Sequence, residues 1–258
     1  MTDINTQEIT NWLLKYVNDN DLDSFIVGVS GGVDSAVTST LCAETGKPTI
    51  VINIPIKSSP TNSSLSTQHC NWLQAKYPNV VVHECNLTRT FNTLKVDLAS
   101  AGFSENLLAL ANTKSRLRMI LLYYLATHHS GVVVGTGNKV EDFGVGFYTK
   151  YGDGGVDISP IADLTKTQVR EAAKSLGILG KIITAPPTDG LWEDSRTDEE
   201  QIGASYEELE WAMDYVDNNK NDHLDPREKE VLDIFLDYRE RNAHKMNPIP
   251  IFKLGEVQ

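Results

Sequence analysis

The residues best suited to chemistry form a short string, Ser30-Gly31-Gly32-Val33-Asp34-Ser35, which follows an apolar run and opens a helical pattern. Two adjacent glycines let the backbone approach a phosphate closely and adopt conformations closed to other residues. Amides at the start of the helix then point at the anion, aided by the helix dipole. Ser30 and Ser35 add hydroxyl donors, whereas Asp34 repels bare phosphate and so implies an intervening divalent cation. An isolated glycine pair reads as a turn with Asp and Ser caps; this longer string after a strand reads as an anion site. It is neither the Walker loop, which ends in Gly-Lys followed by Ser or Thr, nor the dinucleotide Gly-x-Gly-x-x-Gly.

A second chemically dense stretch runs from Gly135 to Lys166. It holds Thr136, the carboxylates Glu141, Asp142, Asp153 and Asp157, and the cations Lys150 and Lys166. Taken singly these are ordinary residues: surface lysines, charges at a helix N-terminus, an Asp that suits the geometry of a Gly-Asp-Gly-Gly turn. A third stretch, Asp217 to Glu228, places oxygen ligands at loop positions one, three, five, nine and twelve, as in a calcium-binding EF-hand. Asp222 stands sixth, where Gly makes the sharp turn. Two readings stay open there: a calcium loop, or a polar helix–helix turn with Pro226 starting the next helix.

The elements that must position these residues follow from hydropathy. Residues 25–29, 49–54, 80–83 and 132–134 are apolar, β-branched runs without alternation, as expected of parallel strands covered on both faces. Helical patterns at about 35–45, 62–76 and 104–128 lie between them. The expectation is an α/β doubly wound parallel sheet of about five strands, helices on both faces, and a helical C-terminal part. Thr165-Lys166-Thr167-Gln168 has the spacing of a capping box and Gly177 that of a terminator. Further helices are expected from Ser205 and from Pro226. No linker interrupts the chain, so residues 1–258 read as one domain, with ligands beyond the carboxyl ends of the strands.

Composition narrows the function. The formal net charge of -12 argues against a broad nucleic-acid surface but not against a small anionic substrate. No apolar run approaches the roughly 18 residues that span a membrane, and the N-terminus lacks a signal-peptide pattern. Cys42, Cys70 and Cys85 form no CxxC, which points to thiols in a reducing cytoplasm.

The loop at Ser30–Ser35 resembles the pyrophosphate loop of the ATP pyrophosphatase superfamily. Within it, Thr149-Lys150-Tyr151-Gly152-Asp153-Gly154-Gly155 is similar to the NAD synthetases. The likeness extends to Arg116-Leu117-Arg118-Met119, Ala185-Pro186-Pro187-Thr188, Asp198-Glu199, Ile202 to Tyr206 and His244-Lys245, nearly the whole chain from Phe25 onward. It argues against a GMP synthetase of the same superfamily and against a non-catalytic nucleotide or calcium sensor.

The resemblance implies ATP-dependent amidation of deamido-NAD to NAD with ammonia, through an adenylated intermediate, releasing AMP and pyrophosphate. By the same likeness, Gly28, Val29, Ser30, Gly31, Gly32, Val33, Asp34, Ser35, Thr136, Lys166 and Thr188 contact ATP. Asp34 and Glu141 hold Mg²⁺, with Asp142 the alternative to Glu141. Arg116, Lys150, Asp157, His244 and Lys245 bind deamido-NAD. Asp153 and Lys166 are the catalytic pair, Asp153 taking a proton from ammonium. The resemblance also implies a homodimer. A length of 258 residues leaves no room for a glutamine-hydrolysing region, so free ammonia, or ammonia delivered by a separate protein, is the expected donor. One departure is visible: Glu141 to Lys150 is one residue longer than in many members of that family.

Overall fold

The structure, a computed structural model, describes residues 4–58, 60–192, 194, 196–220 and 223–254. Among these the strands are β1 (Ser24–Gly28), β2 (Thr49–Asn53), β3 (Val80–Glu84) and β4 (Gly131–Val133). The helices are α1 (Thr6–Asp19), α2 (Val33–Glu44), α3 (Pro60–Lys76), α4 (Thr88–Ser100) and α5 (Leu107–His128) in the first half. In the second they are α6 (Lys166–Ser175), α7 (Gly180–Ile183), α8 (Asp198–Ile202), α9 (Tyr206–Asp217) and α10 (Pro226–Met246).

The sheet is parallel in the order β3-β2-β1-β4. The expected fifth strand is reduced to a single parallel bridge between Val134 and Ile158. Ser159-Pro160 follows at once, and a proline cannot donate to a ladder. Side chains alternate across the sheet. Phe25, Val27, Val132 and Val134 face a core shared with α1, α2, α3 and α6, while Ile26 and Val133 face Met119, Leu122 and Ala126 of α5. Both faces are therefore apolar, and that is why the strands do not alternate in sequence. β3 departs from the expectation of full cover: as the sheet's edge, it leaves Val81 46% exposed.

The C-terminal helices build their own apolar cluster, in which Tyr206, Leu209, Val231 and Phe235 pack against Val140 and Val145. Three anticipated helix starts carry full capping boxes, at Thr165, Ser205 and Asp225. In the Asp217–Glu228 stretch, Asn221 and Asp222 lie outside the described residues. Asp225 and Glu228 are engaged in capping α10: the Glu228 carboxylate accepts from Asp225 N at 2.8 Å. That is the geometry of the helix–helix turn reading.

Candidate active site

β1 delivers the chain to the glycine loop at the carboxyl edge of the sheet. Gly31 takes φ of 94°, a conformation a side chain rarely adopts. The two hydroxyls brace the turn from within. Ser35 Oγ donates to Gly32 O at 3.0 Å and accepts from Ser30 N at 3.2 Å, and Ser30 Oγ accepts from Gly32 N at 3.2 Å. Behind the loop, the buried Ser66 of α3 donates to Val29 O at 2.9 Å.

The loop opens onto a cleft of about 260 Å³. Of the residues assigned to ATP, all but Gly31 line it: Gly28 to Ser30, Gly32 to Ser35, Thr136, Lys166 and Thr188. Glu141 and Asp153 line it too. Gly28, Ile52, Ile54, Met119 and Leu122 make one end apolar, and Asp34, Glu141, Lys166 and Asp198 make the other charged.

Lys166 organises the charged end. The Thr165 capping box starts α6 at Lys166, which is 2% exposed. Its Nζ donates to Asp34 Oδ2 at 2.6 Å and to Glu141 Oε1 at 3.0 Å. Burial opposes its charge, but Asp34 and Glu141 outweigh burial and hold the ammonium above the ordinary lysine range. Asn138 fixes the pair from outside. Its Nδ2 donates to Asp34 Oδ1 at 3.1 Å, and its Oδ1 accepts from Glu141 N at 3.1 Å. Glu141 also accepts a short hydrogen bond from Tyr206 OH, which reaches Asp198 Oδ2 at 3.3 Å.

Three carboxylates thus surround one ammonium, and the surplus negative charge has consequences. Burial, then Asp34, pushes Glu141 up, with Lys166 opposing. Burial and the Glu141 charge push Asp198 up to about 7. A carboxyl whose folded value lies above its ordinary value of 3.8 stabilises the fold at low pH, and that contribution is lost as pH rises through about 7. Without divalent cation, the contribution of Asp198 therefore falls away as pH rises from about 4 to about 7. Asp198→Asn flattens part of that slope, and equal slopes in melting curves of the two proteins would rule out Asp198 as its source.

Asp142, the alternative to Glu141, points elsewhere. A Cβ on Gly137 would lie 2.2 Å from its carboxylate oxygens, so Asp142 packs over the Gly137 backbone and only Gly fits beneath it. Burial first, then the neighbouring Glu141 charge, pushes its carboxyl well up. The segment between Glu141 and Lys150, expected to be one residue longer than in many relatives, opens in a π-helical turn, Val140–Val145. Gly146 N and Phe147 N close that turn on Glu141 O.

Asp153 is held by α5. Its Oδ1 accepts from Ser115 Oγ at 2.5 Å and from Thr149 N at 3.1 Å, while Asp153 N donates to Ser115 Oγ at 2.9 Å. Lys114, the preceding residue on α5, donates to Leu191 O at 2.7 Å and ties the helix to the loop after Thr188. Thr188 Oγ1 accepts from Gly190 N and donates to Arg196 O, both at 3.2 Å.

The residues assigned to deamido-NAD gather as a connected string around a neighbouring hollow. Arg116 Nε donates to Lys150 O at 3.2 Å, and Lys150 Nζ to His244 O at 2.7 Å. Lys150 and Lys245 line the hollow with Tyr123, Tyr148 and Tyr151. Asp157 is adjacent but occupied: its Oδ2 accepts from Val133 N at 2.8 Å, on the open side of β4, and its Oδ1 from Tyr123 OH at 2.9 Å. Residues without a role in the sequence reading also enter the site, namely Ser115, Arg118, Asn138, Asp198 and Tyr206. The capping box at Thr197 marks a helix start beside Asp198, but nothing local ties that residue to Glu141.

A parallel sheet with a glycine-rich anion loop and a lysine–carboxylate cluster at its strand ends defines a nucleotide-dependent α/β enzyme. Residues 5–248 match the NAD synthase family, and the chain belongs to that family. An NH₃-dependent NAD⁺ synthetase from Carboxydothermus hydrogenoformans is 42% identical over 80% of this chain and 82% of its own. Another from Malacoplasma penetrans is 36% identical over 97% of this chain and 95% of its own. Among solved structures, an NMN synthetase from Francisella tularensis superposes with a TM-score of 0.83 at 28% identity, covering 96% of this chain and 97% of that one.

Proposed function

We propose that this chain converts deamido-NAD to NAD with ATP and ammonia. The observation that carries the reading is the meeting of the glycine loop, the Asp34–Lys166–Glu141 cluster and Asp153 in one cleft of an NAD synthase family member. A nicotinate carboxylate oxygen attacks the α-phosphorus of ATP, and the bond to the bridging oxygen breaks as pyrophosphate leaves. Ammonia then attacks the acyl carbon, the bond from that carbon to the phosphate-linked oxygen breaks, AMP leaves and the nitrogen gives up a proton.

The loop amides and Lys166 bind and orient the departing pyrophosphate. Thr136 and Thr188 line the same cleft and supply hydroxyls for ATP. Asp34 and Glu141 would hold Mg²⁺. Hard carboxylate oxygens, a surplus of buried negative charge and adjoining space for phosphate suit that ion, which when bound neutralises charge on the leaving pyrophosphate. Arg116, Lys150, His244, Lys245 and Asp157 bind deamido-NAD at the adjoining hollow. Ammonia is the nitrogen source, in line with relatives named for NH₃ whose length this chain nearly spans.

The chain acts as a homodimer. In support, α5 leaves Ile120 and Tyr124 about two thirds exposed (66% and 67%), an apolar surface that a second copy would cover. The three free thiols suit a reducing cytoplasm, and no helix of the described residues is long and apolar enough to cross a membrane.

The test is incubation of the purified chain with ATP, Mg²⁺ and ammonium, offering deamido-NAD or nicotinic acid mononucleotide. NAD formation is the expected result. Preference for the mononucleotide would favour a second reading, amidation at the mononucleotide stage, which the likeness to an NMN synthetase raises. Product from neither acid would sink both.

Asp153 takes a proton from bound ammonium and so releases the ammonia that attacks. Asp153→Asn keeps most of the turn but cannot accept that proton, so the second step slows more than the first. Pyrophosphate should appear in a burst ahead of the amide in rapid-quench samples, with partial rescue at higher pH. Matching, wild-type-like time courses would limit Asp153 to shaping the turn.

A further inference from the structure

Within the proposed reaction, Arg118 remains without a role. It lies on the face of α5 that also sends Ser115, Met119 and Leu122 to the cleft. Its Nε donates to Ile54 O at 3.1 Å, which fixes the side chain at the end of β2. No hydrogen bond joins its Nη1 or Nη2 to the described residues, and the charges nearest it are those of Asp153 and Asp189.

The rest of the cleft's cationic charge is already engaged. Lys166 uses two of its three N–H donors on Asp34 and Glu141, which leaves one for the departing pyrophosphate, and Arg170 donates to Glu207 at 3.2 Å. A nucleotide with its base in the apolar end and its pyrophosphate at the glycine loop must pass its α-phosphate between the two. Arg118 bonds to Ile54 O in the apolar part and feels the charge of Asp153, so its guanidinium links the apolar lining to the Asp153 side of the cleft. A planar fork of N–H donors matches the oxygens of a phosphate and keeps its charge at any working pH.

We propose that Arg118 is a further catalytic residue, whose free guanidinium nitrogens bind the non-bridging α-phosphate oxygens. There it stabilises the charge that builds as the acid's carboxylate attacks and pyrophosphate departs. The tether to Ile54 aims the fork before substrate arrives, so little reorganisation is needed at the moment of reaction.

The test compares the wild-type chain with Arg118→Gln, Arg118→Lys and Arg118→Ala. Each is assayed with Mg²⁺ for acid-dependent exchange of labelled pyrophosphate into ATP, for amide formation, for ATP binding and for melting temperature. In Arg118→Gln, exchange and kcat should both fall by about 100- to 1,000-fold, with ATP affinity changed less than about tenfold. Arg118→Lys should recover part of that loss, and added guanidinium ion should raise the Arg118→Ala rate at least about tenfold.

A merely structural tether would lower the melting temperature and leave exchange within about threefold of wild type; that result overturns the proposal. So would a loss confined to ATP binding with kcat unchanged, or rescue by neither lysine nor guanidinium. A wild-type chain silent with both acids removes the reaction itself, and this contact with it. An active wild type with a near-normal Arg118→Gln removes the contact alone.

Discussion

Asp34→Ala lowers turnover on the order of a thousandfold while the chain still folds. Asp34 sits at the first turn of α2, beside the loop amides, and its carboxylate meets Lys166, Asn138 and the cleft. Lys166 keeps Glu141 as its partner and the cluster sheds part of its surplus negative charge, so the melting temperature should hold within a few degrees. What is lost is the carboxylate proposed to hold Mg²⁺ beside the glycine loop. Exchange of pyrophosphate into ATP should collapse with amide formation, because both need the first step. A second readout is independent of catalysis: Mn²⁺, followed by electron paramagnetic resonance, should bind Asp34→Ala at least about tenfold more weakly. Near-normal turnover, or unchanged Mn²⁺ binding, would remove Asp34 from the metal site.

Lys166→Met has a comparable effect on turnover and a second effect that Asp34→Ala lacks. It takes the balancing ammonium out of a cluster that still contains Asp34, Glu141 and Asp198. Removing one partner of a buried pair typically costs about 3–5 kcal/mol, because the partner's charge stays buried. For a chain of this size that is a drop on the order of 10 °C in melting temperature. The sign of the pH dependence follows from the carboxyls. Glu141 and Asp198 are already pushed above their ordinary values, and loss of Lys166 pushes them further. Protonation removes the repulsion, so the deficit should be large at pH 8 and small at pH 5. Millimolar Mg²⁺ should restore part of it at pH 8. A melting temperature equal to wild type at pH 8 would show that Lys166 does not balance the cluster.

Much of this site is legible in the sequence because its parts are local. The glycine loop is six consecutive residues, and the helix that presents Lys166 is announced by Thr165 and Gln168. The starts of α9 and α10 are equally plain from Ser205 and Pro226. The sequence does not announce α4, which buries only Phe91, whereas α1 carries Ile9, Leu13, Tyr16 and Val17 at helical spacing ahead of the runs read above. β3 reads as covered because its run of valines looks like that of a central strand; its place at the edge is fixed by pairing, not composition.

The parts of the site that sequence hides are those assembled across long separations. Tyr206 reaches Glu141 from 65 residues away, and Ser115 reaches Asp153 from 38. Arg116 and Arg118 show a related difficulty. Both stand out in the sequence, but helical phase decides which meets the cleft, and the structure gives that place to Arg118. Arg116 instead donates to the Lys150 carbonyl, at the neighbouring hollow.

The π-helical turn at Val140–Val145 has a bearing on how such a chain can change length. Upstream, Glu141 must keep its place opposite Asp34, and downstream Asp153 must keep its place against Ser115. An added residue in an ordinary helical turn would rotate everything after it by about 100° and break one of those alignments. Widening a single turn takes up the surplus locally, like slack in a rope fixed at both ends. The bulge puts Phe143 outside, 52% exposed, while Gly144 and Val145 stay buried against the C-terminal helices. The segment joining Glu141 to Asp153 is thus a gauge whose length can vary by one residue at the surface without moving either end.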